Sequence, residues 1–372
     1  MESTTSDSKG AVDEVPYNCL VIAGGASKCI SAVGALHYLQ LKGHLDFIEH
    51  YAGTSAGGMV CYLLAIGYSP FEIIHFLCRS NFIDEFQNLN IAGVVDQKGL
   101  INYYIVQEYL EKLTLNKLGY IPTFRELRLK MGKNLTLVTY NLTKNKVEYL
   151  NAETYPDMSC LSALRMTVNV PLLFERFFYN SCEYLDGGLV DNFPIGYYSG
   201  PEYKTIGINI NPLDASIPKK QNYIMYLLKI AMIPYIFFHM QKKYPKNSTV
   251  VDIQTDIQTF DFNLTISKRL DLFSKGYQCI LHFFEDSKVP VTPETPFIQS
   301  PARQPSLEKE PLVEQAAQTE REGPKSQEPS DEHRPRSRST SEVEPPPETQ
   351  PGHTDASLGS LQGNEAECAS SQ

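Results

Sequence analysis

No C-x-x-C pair occurs among the eight cysteines of this 372-residue chain, at positions 19, 29, 61, 78, 160, 182, 279 and 368. Several sit in strongly apolar runs, which argues against a disulfide framework and suits reduced thiols in a core. The first sixteen residues hold four acidic side chains and no apolar stretch, so no secretory signal is read there and a cytoplasmic protein is expected. The Asn-x-Ser/Thr triplets at Asn134, Asn141, Asn247 and Asn263 are then chance matches. Basic excess is also missing. Of the net charge of -10, residues 287–372, with 8 Lys+Arg against 15 Asp+Glu, hold -7, leaving -3 for residues 1–286. Nothing in that balance predicts nucleic-acid binding. No group of His, Cys and carboxylates has metal-ligand spacing, so neither metal nor cofactor is expected. No internal repeat and no lipid-anchor motif is visible, and any membrane contact should be peripheral.

What the chain does hold is a 42% hydrophobic content, ample for a large core. From Val289 onward the composition shifts: 13 of the 24 prolines and a single aromatic, Phe297, lie there. Residues 288–372 are expected to form a disordered tail. Its basic, serine-rich island "RPRSRSTS" (Arg334 to Ser341) is a candidate docking or phosphorylation segment for protein partners, or a plain solvated linker. Residues 1–16 are read as a flexible start, and 17–287 as one folded domain.

Within that domain, strand-like and helical runs alternate, the pattern of an α/β fold. "YNCLVIAGG" reads as a strand buried on both faces, followed by the helical "SAVGALHYLQLKG". "DFIEHYAGTSAGG" gives a second strand, and "GMVCYLLAIGYS" a second helix. "INYYIVQEYLEKL" and the Thr123-capped "TFRELRLKMG" are helical. "NLTLVTYNLTKNKVEYLN" reads as a hairpin about Thr-Lys-Asn-Lys. "SCLSALRMTV" is helical, while "CEYLDGGLVDNFPI" and "YKTIGINI" are strands. "YIMYLLKIAMIPYIFFHM" (Tyr223 to Met240) is nearly long enough to cross a bilayer, but Lys229 and Pro234 in its middle favour a kinked buried helix or a membrane-contacting surface.

Three glycine-rich turns end predicted strands: "GGASKC" (Gly24 to Cys29), "GTSAG" (Gly53 to Gly57) and "DGG" (Asp186 to Gly188). If the three strands are parallel neighbours, the turns meet at one sheet edge, where ligands bind in open α/β sheets. Gly53 and Gly57 let a strand-to-helix turn close around Ser55, pushing its hydroxyl outward. Serine needs a base within hydrogen-bond reach, and Asp186 qualifies by type and placement. Backbone amides of a Gly-Gly pair can converge on an oxyanion. Taken singly, each turn also fits ordinary loop chemistry: Gly25 and Gly188 as loop glycines, Asp186 as a turn aspartate.

Together, and in this order, the three motifs resemble the patatin-like phospholipase family, whose pattern is G-G-G/A-x-K/R-G, then G-x-S-x-G, then D-G-G/A. "TFREL" and "LRMTVNVPLLF" also read like family segments, and the likeness extends from about Tyr17 to about Glu285. It implies a three-layer α/β/α fold with a mainly parallel central sheet. It also implies a lipid acyl hydrolase with Ser55 as nucleophile, Asp186 as base, and the amides of Gly24, Gly25 and Ala26 as oxyanion hole. Lys28 stands at the family's basic position, and Gly53, Gly57, Gly187 and Gly188 complete the motifs. The family's last glycine in the first motif is Cys29 here. A positive φ at that position would make its Cβ costly, whereas an ordinary φ would leave it filling space. The implied partner is a lipid substrate at a membrane or lipid surface.

Two rivals remain. A Ser-His-Asp esterase would need a histidine after its acid, and His239 and His282 are the candidates in the folded region. A catalytically weak lipid-binding scaffold would keep the fold and use the tail. A dinucleotide site at "GGASKCISAVG" lacks the G-x-G-x-x-G spacing and is set aside. The run "FEIIHFL" and the 223–240 segment are candidate walls of an acyl groove, or simply core.

Overall fold

The structure, a computed structural model, describes residues 16–80, 82–85, 99–211, 226–227, 230, 233, 236 and 243–286. In chain order the elements are β1 (Cys19–Ile22), α1 (Cys29–Leu41), β2 (His50–Thr54), α2 (Ser55–Ala65), α3 (Pro70–Arg79), α4 (Phe82–Glu85), α5 (Tyr104–Leu118) and α6 (Phe124–Met131). They continue with β3 (Asn134–Asn141), β4 (Lys146–Leu150), α7 (Cys160–Thr167), β5 (Phe177–Tyr179), β6 (Cys182–Asp186), β7 (Thr205–Ile210), β8 (Ser248–Ile253) and α8 (Ile266–Asp286).

The strands form one mixed sheet in the order β5-β6-β3-β2-β1-β7-β8, with β4 paired to β3. Strands β3, β2, β1, β7 and β8 run parallel. β1 and β7 are buried at every position, as continuous apolar runs covered by helices on both faces must be. The predicted hairpin is β3–β4, antiparallel from Leu137↔Leu150 to Asn141↔Lys146. Its turn is fixed by the Asn141 side chain, which accepts the Lys144 N–H at 2.9 Å. Helix α6 starts at Thr123 with a reciprocal capping box to Glu126, as the sequence predicts, and Ser69 and Glu72 do the same for α3.

Helix α8 packs closely along α1. Gly34 of α1 lies against the carbonyl of Phe273, and Gly276 of α8 against the carbonyl of Ser31, so that a Cβ at either position would collide with backbone. Glycine inside a helix costs up to about 1 kcal/mol relative to alanine. Here that cost permits two helices to approach almost backbone to backbone.

One expectation needs correction. The three glycine turns do not end three parallel neighbours, because β6 runs antiparallel to β3, with Asp186 opposite Thr139. The turns still converge. β2 reaches Thr54 opposite Val138 of β3, and β6 travels back toward that same level from beyond the sheet edge. Gly187 then rests on the Val138 carbonyl and against Thr54, where a side chain would not fit.

The expected flexible start falls outside the described residues up to residue 15, as do the tail from 288 and most of the 223–240 segment. Among the described residues, no helix is long and apolar enough to cross a membrane.

Candidate active site

Ser55 opens α2 directly after the extended Thr54 and has φ +54°. A left-handed conformation at a residue with a Cβ costs roughly 1–2 kcal/mol, so the surroundings must impose it. They do so from both sides. Gly57 sits against the carbonyls of Ile22 and Ala23, leaving no room for a side chain. The Ser55 N–H donates to Thr167 Oγ1 at 3.0 Å, and that hydroxyl donates to the Val138 carbonyl at 2.5 Å. The end of α7 therefore fixes the turn that lifts the serine out of the sheet.

Asp186 is 3% exposed. Its Oδ1 accepts the Gly188 N–H at 2.6 Å, while Oδ2 has no partner in full hydrogen-bond geometry among the described residues. Burial pushes the carboxyl up to about 7, against the opposing pull of the nearby Ser55 hydroxyl and the Gly188 N–H. The Ser55 hydroxyl therefore lies near enough to the carboxyl to favour its charged form.

Behind the aspartate stands a polar relay. The Asp186 N–H donates to the Asn169 carbonyl at 2.9 Å, and Asn169 Nδ2 donates to the Tyr184 carbonyl at 2.7 Å. Arg165 Nη1 donates to Asn169 Oδ1 at 2.6 Å, and Nη2 to the Glu175 carbonyl at 2.9 Å. The guanidinium is buried with the Tyr103 ring 4.2 Å and the Phe177 ring 4.9 Å away. Burial lowers its pKa to about 10, which still leaves it charged at neutral pH.

The first glycine turn departs from expectation at Gly24 and answers the open question at Cys29. Gly24 does not have a free amide: its N–H donates to the Asn192 carbonyl at 3.0 Å, while Asn192 Nδ2 donates back to the Gly24 carbonyl at 2.8 Å. The amides of Gly25 and Ala26 have no protein acceptor among the described residues. The positive φ falls on Ala26, at +46°, and not on Cys29, at -61°. Cys29 is buried at the start of α1 with its thiol toward the Ala23 carbonyl, so it fills space without strain. Lys28 is buried as well, and its Nζ donates to the Asn211 carbonyl at 3.4 Å.

These groups open onto a cavity of about 570 Å³. Gly25, Ala26, Ser55, Asp186 and Gly188 contribute to its lining, together with apolar side chains of α2, α3 and α5 and of the 168–174 segment. Ile73, Phe76 and Leu77 of the "FEIIHFL" run contribute, so that run does line a groove. Tyr226, Ile230 and Ile233 also line the cavity, and each is more than 40% exposed, which makes the cavity rim apolar. No described histidine lines it. His282 is exposed near the end of α8, and His239 lies outside the described residues.

A strained serine, a buried carboxylate beside it and an apolar cavity thus meet on a mixed sheet flanked by helices. Residues 20–197, just under half of the chain, match the model described as Patatin-like phospholipase. The chain is 35% identical over 182 residues to the "Probable lipid hydrolase 463L" of Invertebrate iridescent virus 6, a match covering 48% of this chain and 62% of that protein. It thus spans less than two thirds of that relative. It is also 26% identical over 285 residues to "Uncharacterized protein R571" of Acanthamoeba polyphaga mimivirus, covering 72% and 94% of the two chains. Among solved structures, VipD from Legionella pneumophila matches with a TM-score of 0.45 at 18% identity, over 73% of this chain and 67% of that one.

Sequence reasoning missed Arg165, Thr167, Asn169 and Asn192 as parts of the site. Three of them lie in "LRMTVNVPLLF", a segment singled out only for its likeness to the family. Asn192 and Thr167 have partners far away in sequence, 168 positions for Asn192 and Gly24 and 112 for Ser55 and Thr167, so no local pattern marks them.

Proposed function

We propose that this protein is a serine lipid acyl hydrolase of the phospholipase A type, with a domain spanning 17–287. The observation that carries the reading is the pairing of Ser55, on its positive-φ turn, with the buried Asp186 in the lining of an apolar cavity. The ester carbonyl would sit with its oxygen at the amides of Gly25 and Ala26. Ser55 Oγ attacks the carbonyl carbon while its proton passes to Asp186. Collapse of the tetrahedral intermediate breaks the ester C–O bond, and the leaving alkoxide takes the proton from Asp186. Water then repeats the sequence on the acyl-serine and releases the fatty acid. A carboxylate can serve as base here because its burial brings its pKa near neutrality, closer to the proton it must hold.

Gly24 belongs to the scaffold of the turn, clipped by Asn192, so the oxyanion site is assigned two amides from this turn. Lys28 is a buried strut between the first turn and the end of β7. The apolar rim is the natural contact with a lipid surface, and the segment from 288 is left for protein partners. Cys29, with its ordinary φ, gives the scaffold alternative no support.

The test is fatty-acid release from mixed phospholipid vesicles by wild type and Ser55→Ala, together with labelling by a fluorophosphonate. Release and labelling by wild type alone are expected. Equal release by both proteins overturns the reading.

A further inference from the structure

Two helices that line the cavity, α2 and α5, contribute their last lining residues close together. Helix α2 turns the face carrying Ser55, Met59, Val60 and Leu63 to the cavity, and Leu63 is its last residue to line it. Across from it, α5 contributes a stripe at helical spacing that ends at Leu113. Two hydrogen bonds put these ends at the same level. The buried Tyr62 hydroxyl pairs with Thr114 Oγ1 at 2.9 Å, and the Tyr68 hydroxyl donates to the Leu113 carbonyl at 2.9 Å. This part of the wall is therefore tied across the two helices.

We infer that Leu63 and Leu113 form the stop of an acyl-chain ruler, so that this wall sets which fatty acyl lengths the site accepts. From Ser55 to Leu63 the helix rises about 12 Å, at 1.5 Å per residue. An extended hydrocarbon advances roughly 1.3 Å per carbon, so the wall meets a serine-bound chain about nine or ten carbons out. A chain of that length lies straight along α2, and a longer one must bend back toward the rim. Because the stop belongs to two helices rather than to a loop, its position is fixed by helix geometry. Each methylene that fits or fails to fit in such an apolar pocket changes discrimination by about tenfold or more. The inference rests on the hydrolase reading for its substrate, but the ruler itself is a property of the cavity.

The experiment has two arms, both on the full chain. In the first, hydrolysis of 4-nitrophenyl esters from octanoyl to palmitoyl is followed in wild type, Leu63→Trp, Leu63→Ala and Leu113→Phe. Filling the end with Trp or Phe should lower the palmitoyl-to-octanoyl ratio of kcat/KM by about tenfold, and Leu63→Ala should raise it. In the second arm, binding of octanoate, decanoate, myristate and palmitate to Ser55→Ala and to Ser55→Ala with Leu63→Ala is measured by calorimetry, independent of catalysis. A length preference that moves in binding while no ester is cleaved supports the ruler and sinks the hydrolase reading. Cleavage with an unmoved length profile in folded variants, judged by circular dichroism, overturns the ruler and leaves the hydrolase reading standing.

Discussion

Ser55 and Asp186 are held in opposite ways. Ser55 stands where a parallel strand turns directly into a helix, and most of what shapes it is written within five residues, in Gly53, Gly57 and the serine itself. Asp186 arrives on an antiparallel strand, and its position depends on Asn169, Arg165 and the Gly187 contact with Val138. One residue is shaped by a local motif with a strut from Thr167 and the other by a longer tertiary relay, so damage to the two should look different.

The largest expected effect is at the aspartate itself. Asp186→Asn preserves shape and the Gly188 contact but cannot take a proton, and kcat should fall by about a thousandfold or more with KM little changed. Steady-state kinetics on a soluble ester checks this. Arg165→Met comes next. It removes the cation that fixes Asn169 while keeping most of the buried volume, and kcat should fall about tenfold, with a shift in the acid limb of the pH profile that a purely structural role would not produce.

The pH dependence separates the two roles of the carboxyl. As base it must be ionised, so activity should rise as pH increases through about 7. Its folded pKa lies above the unfolded value of 3.8, so the native state binds the proton more tightly, and stability falls as pH rises from about 4 to 7. Above that window the buried charge costs on the order of 4 kcal/mol. Asp186→Asn removes this cost, so its melting temperature relative to wild type should climb between pH 4 and pH 8. A gap that does not vary with pH would contradict it.

The smallest effect belongs to Cys29→Gly. Restoring the family's glycine at a residue with φ -61° relieves no strain and removes a buried side chain. Stability should fall by about 1 kcal/mol, with no gain in rate.

The contrast between serine and aspartate also explains what could be read from the sequence. The parallel strands β1, β2 and β7, the β3–β4 hairpin and the Thr123 cap were legible, because each has its signal within a few residues. The motif spacing was enough to single out Ser55 and Asp186. The antiparallel course of β6 was not legible, since strand direction depends on how the chain returns and not on the strand's own composition. Strand β8, "STVVDI", has a β-branched local signal, but the polar run "QKKYPKN" before it hides the strand in the sequence pattern. The Asn192 clip and the Thr167 strut have only distant partners, and the free amides at Gly25 and Ala26 could be told from the engaged one at Gly24 only in three dimensions.

The glycine contact between α1 and α8 has a consequence for how the domain is made. These helices lie near opposite ends of the folded region, and each supplies the groove in which the other's backbone rests. During synthesis α1 emerges early, with its groove for Gly276 empty, and stays so until more than two hundred further residues have been added. Such a long-range closure slows folding and leaves apolar surface uncovered in the meantime. The α1–α8 contact can therefore close only once the last helix of the domain has been made.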